Sequence, residues 1–175
     1  MKRTARLIVT EACPRSCSYC CNKQPAGITT AKRCRLGEFS AKGFDEIVIT
    51  GGEPMLFPER VKKIIDHCNL PTYLYTAFYN ESCWDMMRQG YFAGLSYTLH
   101  EKFSETDHSR FQWLQADLVM FLKMYSNNFS ARLKIHPSIP NDVIVNKALW
   151  KRVDRRPFVD NCPLPENEEL FILTE

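Results

Sequence analysis

Short apolar runs rich in β-branched residues recur along the chain between stretches with helical spacing. Runs at 6–10, with Leu7-Ile8-Val9, and at 46–50, with Ile47-Val48-Ile49, predict buried strands. Further strands are expected at 72–78, 94–100, 131–136 and 169–174. Between them, Pro58 opens a helix whose Val61, Ile64, Ile65 and Cys68 share one face. Asn80 caps a second helix running to about residue 88, with Trp84 and Met87 inward and Gly90 as its stop. The most apolar helix is predicted at 109–125 through Phe111, Leu114, Leu118, Phe121 or Leu122, and Tyr125, with Trp113, Met120 and Met124 read as core. Another helix is expected at 141–153, capped by Asn141 or Asp142, although Val143-Ile144-Val145 suits a strand equally. The weakly patterned stretch 21–44 reads as loop, with Lys32-Arg33-Cys34-Arg35 opening a short helix on a solvated face, and 154–168 reads as loop.

Two strands alternate strictly. Leu95, Tyr97 and Leu99 oppose Ser96, Thr98 and His100, and Leu133 and Ile135 oppose Arg132, Lys134 and His136. Parallel strands normally bury both faces, so these polar faces either line a ligand cavity or are solvated at an open edge. Six strands alternating with helices predict an open parallel α/β sheet with right-handed crossovers.

The length of 175 residues suits a single domain spanning 1–175. A net charge of +3, evenly spread, gives no strong nucleic-acid signal. Eight cysteines without a leader segment read as reduced thiols of a cytoplasmic protein, and no run is long enough to span a membrane.

Chemistry concentrates in Cys13-Pro-Arg-Ser-Cys17-Ser-Tyr-Cys20, which follows the first strand directly. Three thiolates at this spacing converge from one loop as soft ligands of an iron–sulfur cluster or zinc. Zinc would take a fourth ligand such as His67, His100 or Cys34, but there is no second paired Cys-x2-Cys or His-x3-His element. A [4Fe–4S] cluster held by three cysteines leaves one iron open for chemistry. The second strand ends in Gly51-Gly52-Glu53-Pro54, a turn where backbone can approach a ligand closely.

Together these stretches resemble the radical S-adenosylmethionine (radical SAM) superfamily. Tyr19 holds the aromatic position before the third cysteine, and Gly51, Gly52, Glu53 and Pro54 match the family's glycine motif. The resemblance implies a six-stranded partial TIM barrel, (β/α)6, over nearly the whole chain. It implies metal ligation by Cys13, Cys17 and Cys20 and chelation of the fourth iron by S-adenosyl-L-methionine. It also implies that Tyr19 lies near the adenine and that the turn Gly51 to Glu53 receives the methionyl ammonium. Reduction by a donor such as flavodoxin or ferredoxin would then release a 5′-deoxyadenosyl radical that abstracts hydrogen from substrate.

By location, Ser96, Thr98, His100, Arg132, Lys134 and His136 are candidates for holding the ribose and carboxylate of SAM or the substrate, with Arg132 or Lys134 preferred for a carboxylate. The chain's brevity resembles glycyl-radical activating enzymes, which implies a partner protein covering the open side. The alternatives are small-molecule chemistry like that of 7-carboxy-7-deazaguanine synthases, peptide modification, and a non-catalytic metal-binding module. Cys68 and Cys83 read as small buried hydrophobes, and Cys21, Cys34 and Cys162 as loop thiols open to redox roles rather than ligands of a second cluster.

Overall fold

The structure is a computed structural model that describes residues 2–20, 31–125, 128–158 and 164–174. Among these residues it is an α/β fold with one open, all-parallel sheet of eight strands. In chain order the strands are β1 (Thr4–Ile8), β2 (Lys32–Arg35), β3 (Glu46–Thr50), β4 (Thr72–Thr76), β5 (Gly94–Leu99), β6 (Ser130–Ile135), β7 (Arg152–Arg155) and β8 (Glu168–Thr174). Across the sheet they run β2-β8-β1-β3-β4-β5-β6-β7. The described helices are α1 (Pro58–Cys68), α2 (Glu81–Arg88) and α3 (Glu105–Met124).

Eight strands replace the six expected, and both additions stand at the sheet edges. Lys32-Arg33-Cys34-Arg35 is not a helix but strand β2, paired with β8. Its charged residues suit an edge, where solvent reaches one side of the ladder. The helix expected at 141–153 is also absent. A single 3-10 turn, Lys147–Leu149, leads there into β7. Buried Gln115 of α3 explains the difference, because its side chain donates to Ile144 O at 3.0 Å and accepts from Asn146 N at 2.8 Å. A buried amide thus satisfies backbone that a helix would have satisfied internally, and Val143-Ile144-Val145 forms neither the helix nor the strand that its pattern allowed.

Register divides the sheet into two chemically distinct faces. Leu7, Ile49, Leu74, Leu95 and Ala131 are aligned across five neighbouring strands and are all buried. They belong to one cluster with Val61 and Ile64 of α1, Met87 of α2, and Phe111, Leu114 and Leu118 of α3. The other face carries Arg6, Tyr75, Ser96, Arg132 and Lys134, and its buried Ile8, Val48 and Ile172 lie outside that cluster.

Helix α3 begins four residues earlier than its apolar spacing predicts. Ser104 caps it, accepting from Asp107 N, while the Asp107 side chain returns to Ser104 N. This reciprocal box satisfies two otherwise orphaned donors. Trp113, Met120 and Met124 face solvent rather than the core, at 62%, 51% and 68% exposure. Substituting Phe111, which is fully buried, with Ala should cost about 3–5 kcal/mol in denaturant unfolding. Trp113→Ala should stay within about 0.5 kcal/mol of wild type.

Candidate functional site

The cysteine loop leaves the C-terminal end of β1 and is joined to the glycine turn after β3 by main-chain hydrogen bonds. Val9 N donates to Thr50 O at 3.0 Å, Gly52 N to Thr10 O at 2.7 Å, and Glu53 N to Ala12 O at 2.8 Å. The two glycines make this approach possible. Gly51 has φ of +141°, and a Cβ there would collide with Thr10 O. A Cβ on Gly52 would collide with Ala12 O and lie 2.7 Å from Glu11 O. Backbone does approach closely at this turn, but what it approaches is the cysteine loop rather than a ligand.

Glu53 and Pro54 of the same motif are both buried. The Glu53 carboxylate accepts from Thr76 Oγ1 at 2.5 Å, Ala77 N at 2.9 Å and Met55 N at 3.1 Å. Burial pushes its carboxyl up, and these three donors oppose the shift. Glu53 thereby ties the glycine turn to the end of β4.

The middle of the loop is held from the other side. Arg15 pairs with Asp107 in the first turn of α3 and donates to Ala77 O at 3.3 Å. Burial alone would raise the Asp107 carboxyl, but the Ser104 and Arg15 hydrogen bonds hold it below its usual value. Ser18 N donates to the Glu101 carboxylate at 2.5 Å, just past β5. Strand ends of β3, β4 and β5 and the start of α3 thus fix one loop.

Tyr19 turns inward onto two histidines that follow the alternating strands. Its hydroxyl shares a 2.9 Å hydrogen bond with His100 Nδ1 and accepts from Glu101 N at 3.2 Å. Its ring stacks on His136 with centroids 5.1 Å apart, and Phe158 meets it edge-on at 5.0 Å. Burial, with repulsion from Arg15 and His136, lowers the His100 pKa to about 4, so the ring is neutral at physiological pH.

Cys13 is exposed, and Cys17 and Cys20 are half-buried. Burial raises the thiols of Cys13 and Cys17, and Cys20 adds to the shift of each, with Cys13 adding to that of Cys17. Among the described residues no three or more His, Cys, Asp or Glu side chains form a group that could hold a metal ion. In chemical type the donor set fits a cluster: three soft thiols of one loop, with Arg15 favouring the thiolate at Cys17. Of the side chains expected as a fourth zinc ligand, His67 hydrogen-bonds Phe39 O at 3.0 Å. Cys34 packs against the core, and His100 is bonded to Tyr19. Cys68 and Cys83 are buried as expected, whereas Cys21 and Cys162 lie outside the described residues.

The structure therefore brings Cys13, Cys17, Cys20, Tyr19, Gly51, Gly52, Glu53, His100 and His136 to one end of the sheet. Ser96, Thr98, Arg132 and Lys134 lie further down the open face, and no described hydrogen bond or ion pair joins them to the cysteine loop. Sequence reasoning missed Arg15, Asp107, Glu101 and Phe158. The Ser104-x-x-Asp107 capping signature could have revealed Asp107, because it marks a helix start beside the site.

Glu53→Ala would leave the Ala77 and Met55 amides and the Thr76 hydroxyl without their acceptor. It should cost about 3–5 kcal/mol by denaturant unfolding. His100 has a folded-state pKa below its ordinary 6.5, so the unfolded chain binds more protons between pH 6.5 and about 4. Its contribution should be complete above pH 6.5 and be lost as pH falls toward 4, by an amount on the order of 3 kcal/mol. Thermal melts of His100→Gln should show a flatter pH dependence across that window.

No protein-family model matches the chain and no curated protein is significantly similar to it, so what the site does rests on its own residues.

Proposed function

We propose that this chain is a radical SAM enzyme in which Cys13, Cys17 and Cys20 hold a [4Fe–4S] cluster. The observation that carries the reading is the hydrogen-bonded union of the C-x3-C-x2-C loop with the Gly51-Gly52 turn at neighbouring ends of a parallel sheet. In open α/β sheets the carboxyl ends of strands are where ligands bind. The eight strands are then a partial barrel whose polar face is its interior.

When bound, the cluster would supply the electron that cleaves S-adenosyl-L-methionine homolytically, yielding a radical able to abstract hydrogen from substrate. The chain's own residues position and shield. Arg15, through Asp107, and Ser18, through Glu101, fix the loop that carries the thiols. The joined backbones of Thr10 to Ala12 and Gly51 to Glu53 form a rigid base for the cosubstrate's amino-acid end. Tyr19, His136 and Phe158 provide flat aromatic surface suited to an adenine, and neutral His100 adds no charge of its own beside it. Exposure at Cys13 gives a reductant such as flavodoxin or ferredoxin an approach to the thiol loop. A reducing compartment, the cytoplasm, suits the free thiols that this reading requires. Among the described residues, no helix is long and apolar enough to cross a membrane.

Anaerobic reconstitution with iron and sulfide, then addition of dithionite and SAM, tests the proposal. Wild type should take up about four irons per chain and form 5′-deoxyadenosine, and Cys17→Ala should lose both, with product formation falling at least a hundredfold. Zinc uptake without 5′-deoxyadenosine would overturn the reading in favour of a metal-binding module.

A further inference from the structure

On the open face, Tyr75 of β4 sits between two cations. The Arg6 guanidinium, from β1, lies 5.0 Å from its ring centroid, and the Lys134 ammonium, from β6, also lies 5.0 Å away. The strands between them place small residues on this face, Val48 and Thr50 on β3 and Ser96 on β5. Cations therefore converge over the middle of the sheet instead of pointing out to water.

Their charges are compensated unequally. Arg6 is paired with Glu168 at 2.5 Å. Among the described residues, the other strand carboxylates of the face are also held by partners: Asp154 by Arg152 at 2.8 Å, and Glu46 by Lys2 at 3.2 Å. Among the described residues, no carboxylate lies within ion-pair distance of Lys134. Burial lowers its pKa, and repulsion from Arg6, Arg156 and Arg132 adds to that shift against attraction by Asp154. A partly desolvated ammonium surrounded by cations is unfavourable unless something else answers its charge.

A second, independent observation lies in the same layer. Ser96 is 2% exposed, and its hydroxyl is buried with no hydrogen-bond partner. In register it falls between Tyr75 on β4 and Arg132 on β6, on the face that carries Lys134. Buried hydroxyls are nearly always satisfied, so an orphan on the same face as an uncompensated cation, diagonal to it across β5 and β6, points to a missing acceptor. One oxyanion would accept from both groups.

We propose that the substrate is a small molecule bearing a carboxylate or phosphate, and that this oxyanion seats between Lys134 and Ser96 on the Tyr75 layer. The proposal rests on the reading of this face as the substrate side of a radical SAM enzyme. Lys134 lies two residues below His136, about 7 Å along the strand, so the ligand would extend from the anion site toward the cysteine loop. A neutral glycyl loop of a partner protein would leave Lys134 and Ser96 unanswered, which favours the small anion.

Calorimetric titration of the full chain, with the cluster reconstituted, tests the site directly, using inorganic phosphate in one arm and succinate in the other. Saturable binding of one anion, weakened about tenfold in Lys134→Met and about threefold in Ser96→Ala, is expected. Lys62→Met, on α1 and paired with Asp66, should bind as wild type does. The arm that binds identifies the oxyanion. Binding of neither anion, or unchanged binding by a Lys134→Met protein with wild-type melting, overturns the proposal. Competitive displacement of the anion by SAM also overturns it, by assigning the site to the cosubstrate's carboxylate. If wild type forms 5′-deoxyadenosine yet binds neither anion, the substrate inference fails alone. Lys134-dependent anion binding without 5′-deoxyadenosine would instead keep the anion site and remove the radical chemistry around it.

Discussion

Two glycines without side chains allow the backbone of the cysteine loop to lie directly against the turn that follows β3. Any Cβ at Gly51 or Gly52 would meet the carbonyl of Thr10 or Ala12, and those carbonyls accept from Gly52 N and Glu53 N. Backbone-to-backbone attachment of this kind leaves little freedom for rigid displacement, since moving the loop breaks several main-chain hydrogen bonds at once. The turn is itself anchored through buried Glu53, whose carboxylate is used by Thr76, Met55 and Ala77. From β1 to β4 the thiol-bearing segment thus inherits the stiffness of a parallel sheet.

Electrostatics complete what the backbone begins. Arg15 is the cation nearest in sequence to the thiols, and its pairing with Asp107 fixes the loop to α3 while cancelling much of its charge. Charge on the open face follows a different logic. Among the described residues the strand carboxylates of that face, Glu46, Asp154 and Glu168, are already paired, so positive charge at Lys134 is left in excess on the face that also holds the unsatisfied Ser96 hydroxyl. One end of the sheet is therefore organised around sulfur and backbone, and its middle around cations.

Much of this was legible in the chain itself. Strand β3 was read at its observed bounds, the Asn80 cap of α2 is observed, and the alternation at Ser96, Thr98, Arg132 and Lys134 marked the open face. Local pattern failed where tertiary partners decided the outcome. Lys32–Arg35 has little strand propensity and is a strand because β8 offers it an edge. The run 143–145 is not helical because Gln115, nearly thirty residues away, takes up its backbone groups. Trp113 and Met120 fit the apolar spacing of α3 yet face outward, because the helix is apolar on more sides than the sheet can cover. The partners of Arg15 and Tyr19 were hidden for the same reason, since Asp107, His100 and His136 lie far along the sequence and meet the loop only once the sheet is formed.

On the proposed reading, the loop of Cys13, Cys17 and Cys20, locked to the glycine turn, would present a cluster with one iron open to S-adenosyl-L-methionine. Mössbauer spectroscopy of protein reconstituted with iron-57, recorded before and after adding SAM, tests it most directly. One of the four irons should shift on SAM addition while the other three keep thiolate parameters. Spectra that are unchanged by SAM, or iron that never assembles into a four-iron cluster, would contradict it.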